Sequence, residues 1–320
     1  MPQNAALYPN PFIDQRADPQ VMRHHDGRYY FTATVPAYDR IILRHAETLA
    51  GLREAEERTI WTRHRTGPMG SHIWAPEIHH VDGAWYVYFA AGDAGDRTAD
   101  VWRIRMYVLE NTSPDPFEGE WVEKGQIRTP IDSFSLDATT FAAGGTQYLC
   151  WAQHNPALPG TNTSLYLAPL SDPWTLAADP VEISRPEYDW ETVGFAVNEG
   201  PAAIERGGRV FIAYSAAATG AEYCMGLLSA DAGADLLDED SWSKSAKPVF
   251  ATSAQAGIFG PGHNCFTVDE DGRDLLVYHA RSYERIEGDP LDNPDRHCRI
   301  QAFGWSEDGQ PEFGEPCPES

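Results

Sequence analysis

Three carboxylates in this 320-residue chain, Asp18, Asp137 and Glu199, share a spacing: each lies eight or nine residues before a glycine in a recurring turn. Glu199 has the least expected surroundings. It stands in VNEGPAAI, among small and apolar residues that lead into a strand, where a carboxylate needs a partner or a function. Carboxylates crowded together repel one another and lose hydration, which separates their pKa values, and a pair with separated pKa values is what acid–base catalysis uses. Taken singly, each also reads as a strand-end turn. Three in one register point to chemistry.

The register comes from an internal repeat. HDGRYYFTAT, VDGAWYVYFA, AGGTQYLCWA, RGGRVFIAYS and EDGRDLLVYH place Gly27, Gly83, Gly145, Gly208 and Gly272 at intervals of 56 to 64 residues. Asp-Gly and Gly-Gly between apolar runs favour two-residue type I′ hairpins, whose central residues both need positive φ. Further strand-like segments, RIRMYVLE and AEYCMGLLS, lie between the hairpins, and no long segment has a helical period. HAETLAGLREAEERTIW fits a helix for about two turns but reads better as a loop. The expected fold is all-β: a five-bladed β-propeller filling residues 1–320 as a single domain, with an active-site pocket at its axis.

In a propeller the first strand of each blade lines the central channel. Counting back from the glycines makes Asp18, Trp74, Asp137, Glu199 and His263 a ring at one face, and the ends of the second strands set Gln153 and Arg281 beside it. Trp74 offers a flat apolar face for a sugar, although a lone tryptophan is also ordinary core. Arg281 suits a substrate hydroxyl or a solvated rim position equally. His263 reads as an ion or water ligand, a substrate contact, or a satisfied channel histidine. One imidazole is a poor metal signature, so an ion there is coordinated mostly by water.

Composition narrows the partner. With 24 basic and 48 acidic residues, a net charge of −24 disfavours nucleic acid and anionic membrane surfaces and leaves a neutral oligosaccharide or polysaccharide as the fitting substrate. Five cysteines, Cys150, Cys224, Cys265, Cys298 and Cys317, have neither C-x-x-C spacing nor zinc-ligand register, so neither a disulfide framework nor a zinc site is expected. MPQNAALYPNPFIDQ lacks a basic region followed by an apolar one, and no run of about 18 apolar residues occurs. As it stands the sequence reads as cytoplasmic, and it carries no signal for an oligomeric state.

The motifs RADPQV, HIWAPEIH, SLDATTF, VNEGPA, GPGHNCF and VYHAR, in that order over nearly the whole chain, resemble glycoside hydrolase family 43, most closely its α-L-arabinofuranosidase members. The resemblance implies a five-bladed propeller and an inverting mechanism. It makes Asp18 the general base, Glu199 the general acid and Asp137 the carboxylate that tunes and orients the acid. Arg281 matches the substrate-contacting arginine of the last blade. His263 matches the axial histidine beside which members of the family often hold a calcium or other ion, structural rather than required for the chemistry. The WMNDPNG-like opening and RDP motif of the related retaining clan that acts on fructosides are absent.

Inversion requires two carboxyls about 6.5–9.5 Å apart with water between them, one as base and one as acid. The expected reaction is release of terminal α-L-arabinofuranosyl residues from arabinan or arabino-oligosaccharides. A β-xylosidase or endo-arabinanase of the same fold, a non-catalytic sugar-binding propeller and a metal-dependent lactonase are the competing readings. The loops AGDAGDRTAD, AQHNPALPGTNTS and SYERIEGDPLDNPDRH are expected to wall the pocket, which favours exo action.

Overall fold

The computed structural model describes residues 7–95 and 100–320; residues 96–99 of the AGDAGDRTAD loop lie outside them. Alternating aromatic and aliphatic residues form antiparallel sheets that radiate from one axis as five blades. Blade one is β1 (Ala17–Arg23), β2 (Tyr29–Thr34), β3 (Arg40–Ala46) and β4 (Arg58–Thr62), and blade two is β5 (Ser71–Val81), β6 (Ala84–Gly92), β7 (Arg105–Asn111) and β8 (Val122–Gln126). Blade three runs from β9 (Ser135–Ala143) through β10 (Thr146–Gln153) to β11 (Ser164–Asp172), which pairs with both β12 (Thr175–Leu176) and β13 (Val181–Ser184). Blade four is β14 (Asn198–Arg206), β15 (Arg209–Ala216), β16 (Cys224–Asp231) and β17 (Ser243–Lys244). Blade five is β18 (Phe259–Val268), β19 (Asp274–Arg281) and β20 (His297–Ala302).

The innermost strands close a ring: β1 meets β5 and β18, β5 meets β9, β9 meets β14, and β14 meets β18. Apolar faces of neighbouring blades bury one another, with Trp85, Trp151, Tyr88 and Tyr278 fully enclosed. Blade five is completed by the N-terminal segment, whose Phe12 amide donates to the Cys298 carbonyl at 2.8 Å while the Cys298 amide donates to Ile13 at 2.9 Å. The helix-compatible stretch after His45 yields only a short 3-10 turn, Ala50–Arg53, before β4. No helix among the described residues is long and apolar enough to cross a membrane.

Two structural details depart from a uniform hairpin repeat. Both central turn residues have positive φ at Asp82–Gly83, Gly144–Gly145 and Gly207–Gly208, as a type I′ turn demands. Blades one and five instead carry three-residue loops: the His24 amide donates to Arg28 and the Asp269 amide to Arg273, and only Gly27 and Gly272 take the left-handed conformation. The added residue therefore shifts a count made from the glycine.

The second detail is one bulge repeated in every innermost strand. Pairs such as Ala17↔Thr34 and Gln20↔Thr32, or Glu199↔Ser215 and Ala202↔Ala213, leave two residues opposite one. The first bulged residue is left-handed in all five blades: Asp18, Ala75, Asp137, Gly200 and His263, with φ between 43° and 57°. Bulges of this kind re-aim side chains beside functional sites.

Candidate active site

The bulges sort the ring into two positions. Blades one, three and five put Asp18, Asp137 and His263 on the bulge itself. Blades two and four put Ala75 and Gly200 there, and their larger side chains, Trp74 and Glu199, come one residue earlier. The five positions are thus not strictly equivalent, because turn length hid a one-residue offset. Gly200 is required where it stands: its φ is +54°, and a Cβ would come within 3.1 Å of His263 Nδ1.

All five side chains nevertheless line one cavity of about 380 Å3. Two of the three expected loops supply walls, with Asn162, Leu291 and Arg296 facing the cavity; from the first, AGDAGDRTAD, no described residue lines it, and Val101 and Trp102, which follow that segment, stand at the rim instead. Gln153 and Arg281, expected as substrate contacts, do not line it. Gln153 Nε2 donates to Thr129 Oγ1, the Ile131 carbonyl and Ser133 Oγ, and its Oε1 accepts from Trp151. Arg281 donates to the Thr219 and Pro290 carbonyls and to Asn293 Oδ1, bracing the loop that carries Leu291 and Arg296. A residue at the end of a second strand points toward the axis only if no loop intercepts it.

Residues the sequence did not single out complete the site. Asp18 Oδ1 lies 3.4 Å from His263 Nδ1, 3.2 Å from His279 Nδ1 and 3.5 Å from Arg296 Nη1. The Asp18 amide donates to His279 Nδ1 at 3.0 Å, fitting a neutral His279, whose pKa is pushed down to about 3 chiefly by burial. Tyr223, stacked on His279 with ring centroids 5.7 Å apart, donates its hydroxyl to Glu199 Oε1 at 2.7 Å. Of these, His279 lies inside the VYHAR motif, and it was hidden by the attention Arg281 drew.

Electrostatics separate the carboxyls. Burial alone would raise the pKa of Asp18, but the positive charges of His263 and Arg296 outweigh it and hold the carboxyl far below the ordinary carboxylate range. Burial raises Asp137 to about 8, with Glu199 and Asp18 adding repulsion against the opposing pull of His263 and of the Gly200 amide, which donates to Oδ2 at 3.1 Å. Burial also raises Glu199, aided by Asp18, while Tyr223, His263 and Arg296 oppose it. His263 is raised because the three carboxylates outweigh its own burial. An ionised Asp18, a protonated His263, Arg296 and one proton shared by Asp137 and Glu199 leave the buried cluster neutral, the cheapest state in a low dielectric.

His263 was also the expected neighbour of an axial ion. Its Nδ1 is turned to Asp18 and, at 4.0 Å, to Asp137, so it acts as the cation of the cluster. A metal ligand must be a neutral imidazole, and calcium asks for six or more oxygens. This donor set does not fit a calcium ion.

Residues 8–311 match the model of Glycosyl hydrolases family 43. The chain is 59% identical over 313 residues to an extracellular exo-α-(1→5)-L-arabinofuranosidase of Streptomyces avermitilis, covering 98% of this chain and 64% of that protein. A relative of the same name from Streptomyces chartreusis is 58% identical over 286 residues, covering 89% of this chain and 86% of its own. A crystal structure of α-L-arabinofuranosidase from Lactobacillus brevis superposes with a TM-score of 0.94 at 52% identity, covering 98% of each chain. The chain thus spans slightly under two thirds of the Streptomyces avermitilis relative's length.

Both Streptomyces relatives are named as extracellular proteins, which contradicts the expectation of a cytoplasmic protein. The cysteines are compatible with an oxidising medium, since all five are buried and unpaired, and burial raises their thiol pKa values, which suppresses the reactive thiolate. Propeller, pocket, separated carboxyls and a match over almost the whole length converge: the chain belongs to glycosyl hydrolases family 43.

Proposed function

We propose that this chain is an inverting, exo-acting α-L-arabinofuranosidase that releases terminal arabinofuranosyl residues from α-1,5-linked arabinan or arabino-oligosaccharides. The observation that carries the reading is the division of proton affinity in one pocket: an ionised Asp18 faces an Asp137–Glu199 pair that keeps a proton at neutral pH. Asp18 is the general base. With Oδ1 held by His263 and Arg296, its carboxylate is fixed in the pocket to take a proton from the water that attacks the anomeric carbon. Glu199 is the general acid, oriented by Tyr223 and able to draw its proton from the shared pair. Asp137 positions and tunes that acid.

The sugar packs on Trp74, itself fixed edge-on to Tyr38 at 5.5 Å and to His72 at 4.8 Å. A cavity near the small end of the usual ligand-pocket range of about 300–1,000 Å3 suits one terminal residue with part of the next. The names of the relatives support arabinose over xylose and exo over endo action.

The test uses nitrophenyl α-L-arabinofuranoside, β-D-xyloside and β-D-galactoside together with debranched arabinan, followed by NMR of the first-formed anomer. Arabinose released singly, with the β-anomer first, is expected. Retention of configuration, preferred cleavage of the xyloside, or release of oligomers from arabinan would each replace this reading with a specific alternative, and no hydrolysis at all would leave a sugar-binding propeller.

A further inference from the structure

A second constellation lies at the opposite ends of β1 and β5 from the pocket, roughly 20 Å along the strand from Asp18. There His24 follows β1, His25 sits in the three-residue loop of blade one, and His80 stands near the end of β5. Each offers one ring nitrogen, and the three nitrogens lie within 4.8 Å of one another. The ring centroids of His24 stand 3.8 Å from those of His25 and 4.7 Å from those of His80.

His24 is the informative member. Its side chain is 8% exposed, and its Nε2 is buried without a hydrogen-bond partner. Burying an imidazole nitrogen unpartnered is costly, and such groups mark a missing ligand. Its Nδ1 also makes no hydrogen bond, although it stands 3.2 Å from Asp26 Oδ1, within reach of the carboxylate–histidine pairing that orients metal-bound imidazoles. Trp85 packs on His24 at 4.6 Å and on His80 at 4.8 Å, supplying an apolar wall. His25 is exposed and keeps one side open to water.

We infer that His24, His25 and His80 form a binding site for a divalent transition-metal ion of the zinc class, with water as the fourth ligand, joining blade one to blade two. Three imidazoles select zinc, copper or nickel over calcium or magnesium. A tetrahedral ion about 2.0–2.1 Å from each nitrogen brings the nitrogens roughly 3.4 Å apart, which small side-chain rotations supply. The ion spans a seam where the two blades are also joined by hydrogen bonds, among them Gln20 with the Ile78 backbone and the Ala75 amide with Thr34 Oγ1, and it acts on stability rather than on the distant chemistry.

Zinc titration of the full chain by calorimetry, beside His25→Ala and His80→Asn, tests the site. One equivalent bound by the wild type is expected, with affinity lower by tenfold or more in each variant, and a zinc-dependent rise in Tm seen only in the wild type. His25 is exposed, so its variant reports on binding even if His80→Asn folds poorly. Cobalt(II) should give the intense visible absorption of a tetrahedral site in the wild type. Hydrolysis of an aryl arabinofuranoside by His25→Ala should be unchanged. An adventitious ion only, with less than a tenfold difference between wild type and His25→Ala, or no uptake by the wild type, overturns the inference.

Discussion

Glu199→Ala separates the halves of the proposed reaction. Removing the acid should lower kcat on arabino-oligosaccharide by about 10²–10⁴-fold but cost far less on a nitrophenyl arabinofuranoside, whose leaving group needs no proton. Asp18→Ala should lose both activities, and equal losses for Glu199→Ala would exclude it as the acid. The pH profile follows from the same groups. Asp18, with its pKa depressed, stays ionised throughout the working range, whereas the Asp137–Glu199 pair, with pKa values raised, holds its proton at low pH and loses it as pH rises through about 8. Activity should therefore fall on the alkaline side. Asp137→Asn removes a repelling neighbour, so the alkaline limb of kcat/KM should move toward lower pH; an unmoved limb would assign it elsewhere. Folding carries the same sign: protonated Asp137 contributes stability below its unfolded pKa, and that contribution is lost through about pH 8. The carboxyls were legible in the sequence because they recur in one register. Arg296 and Tyr223 were not, because each is delivered by the loop that leads into a third strand, and no period links either to the ring.

At the scale of the element, the bulges explain what counting could and could not recover. The distance from the turn glycine to the site residue mixes strand length with loop length, so Trp74 and Glu199 counted as equivalents of Asp18 although they precede the bulge. Gly200→Ala should cost about 1–3 kcal/mol of stability, from a left-handed backbone and the approach to His263, and should reduce kcat as the ring is displaced. Urea unfolding and kinetics on an aryl substrate check both. The short turn Val101–Arg103 holds Trp102, half exposed and edge-on to His154 at 5.0 Å, on the cavity rim, with Phe195 exposed on the same cavity. Trp102→Ala should raise KM for arabino-oligosaccharides about tenfold, or ~1.4 kcal/mol, while leaving the aryl substrate little affected. An equal rise on both would place Trp102 against the terminal sugar instead.

Over the whole molecule, closure depends on the N-terminal segment that completes blade five. Phe12 is 1% exposed, packed beside Val277 and Ile300. Phe12→Ala should cost about 3–5 kcal/mol, seen as a lower denaturant midpoint; a smaller loss would mean that the ring closes without it. The sequence revealed the fivefold symmetry through its turns but not this closure, because Phe12 lies outside the repeat. The five bulges have a consequence at this scale as well. In four blades the bulge pairs a cavity-lining side chain with Ala or Gly: Ala17 beside Asp18, Ala75 beside Trp74, Gly200 beside Glu199 and Gly262 beside His263. The small partner is what lets its neighbour stand there: a Cβ at Gly262 would meet the Tyr223 ring at 2.5 Å and one at Gly200 would meet His263 at 3.1 Å, so each pair has room for one side chain and the seat cannot be doubled.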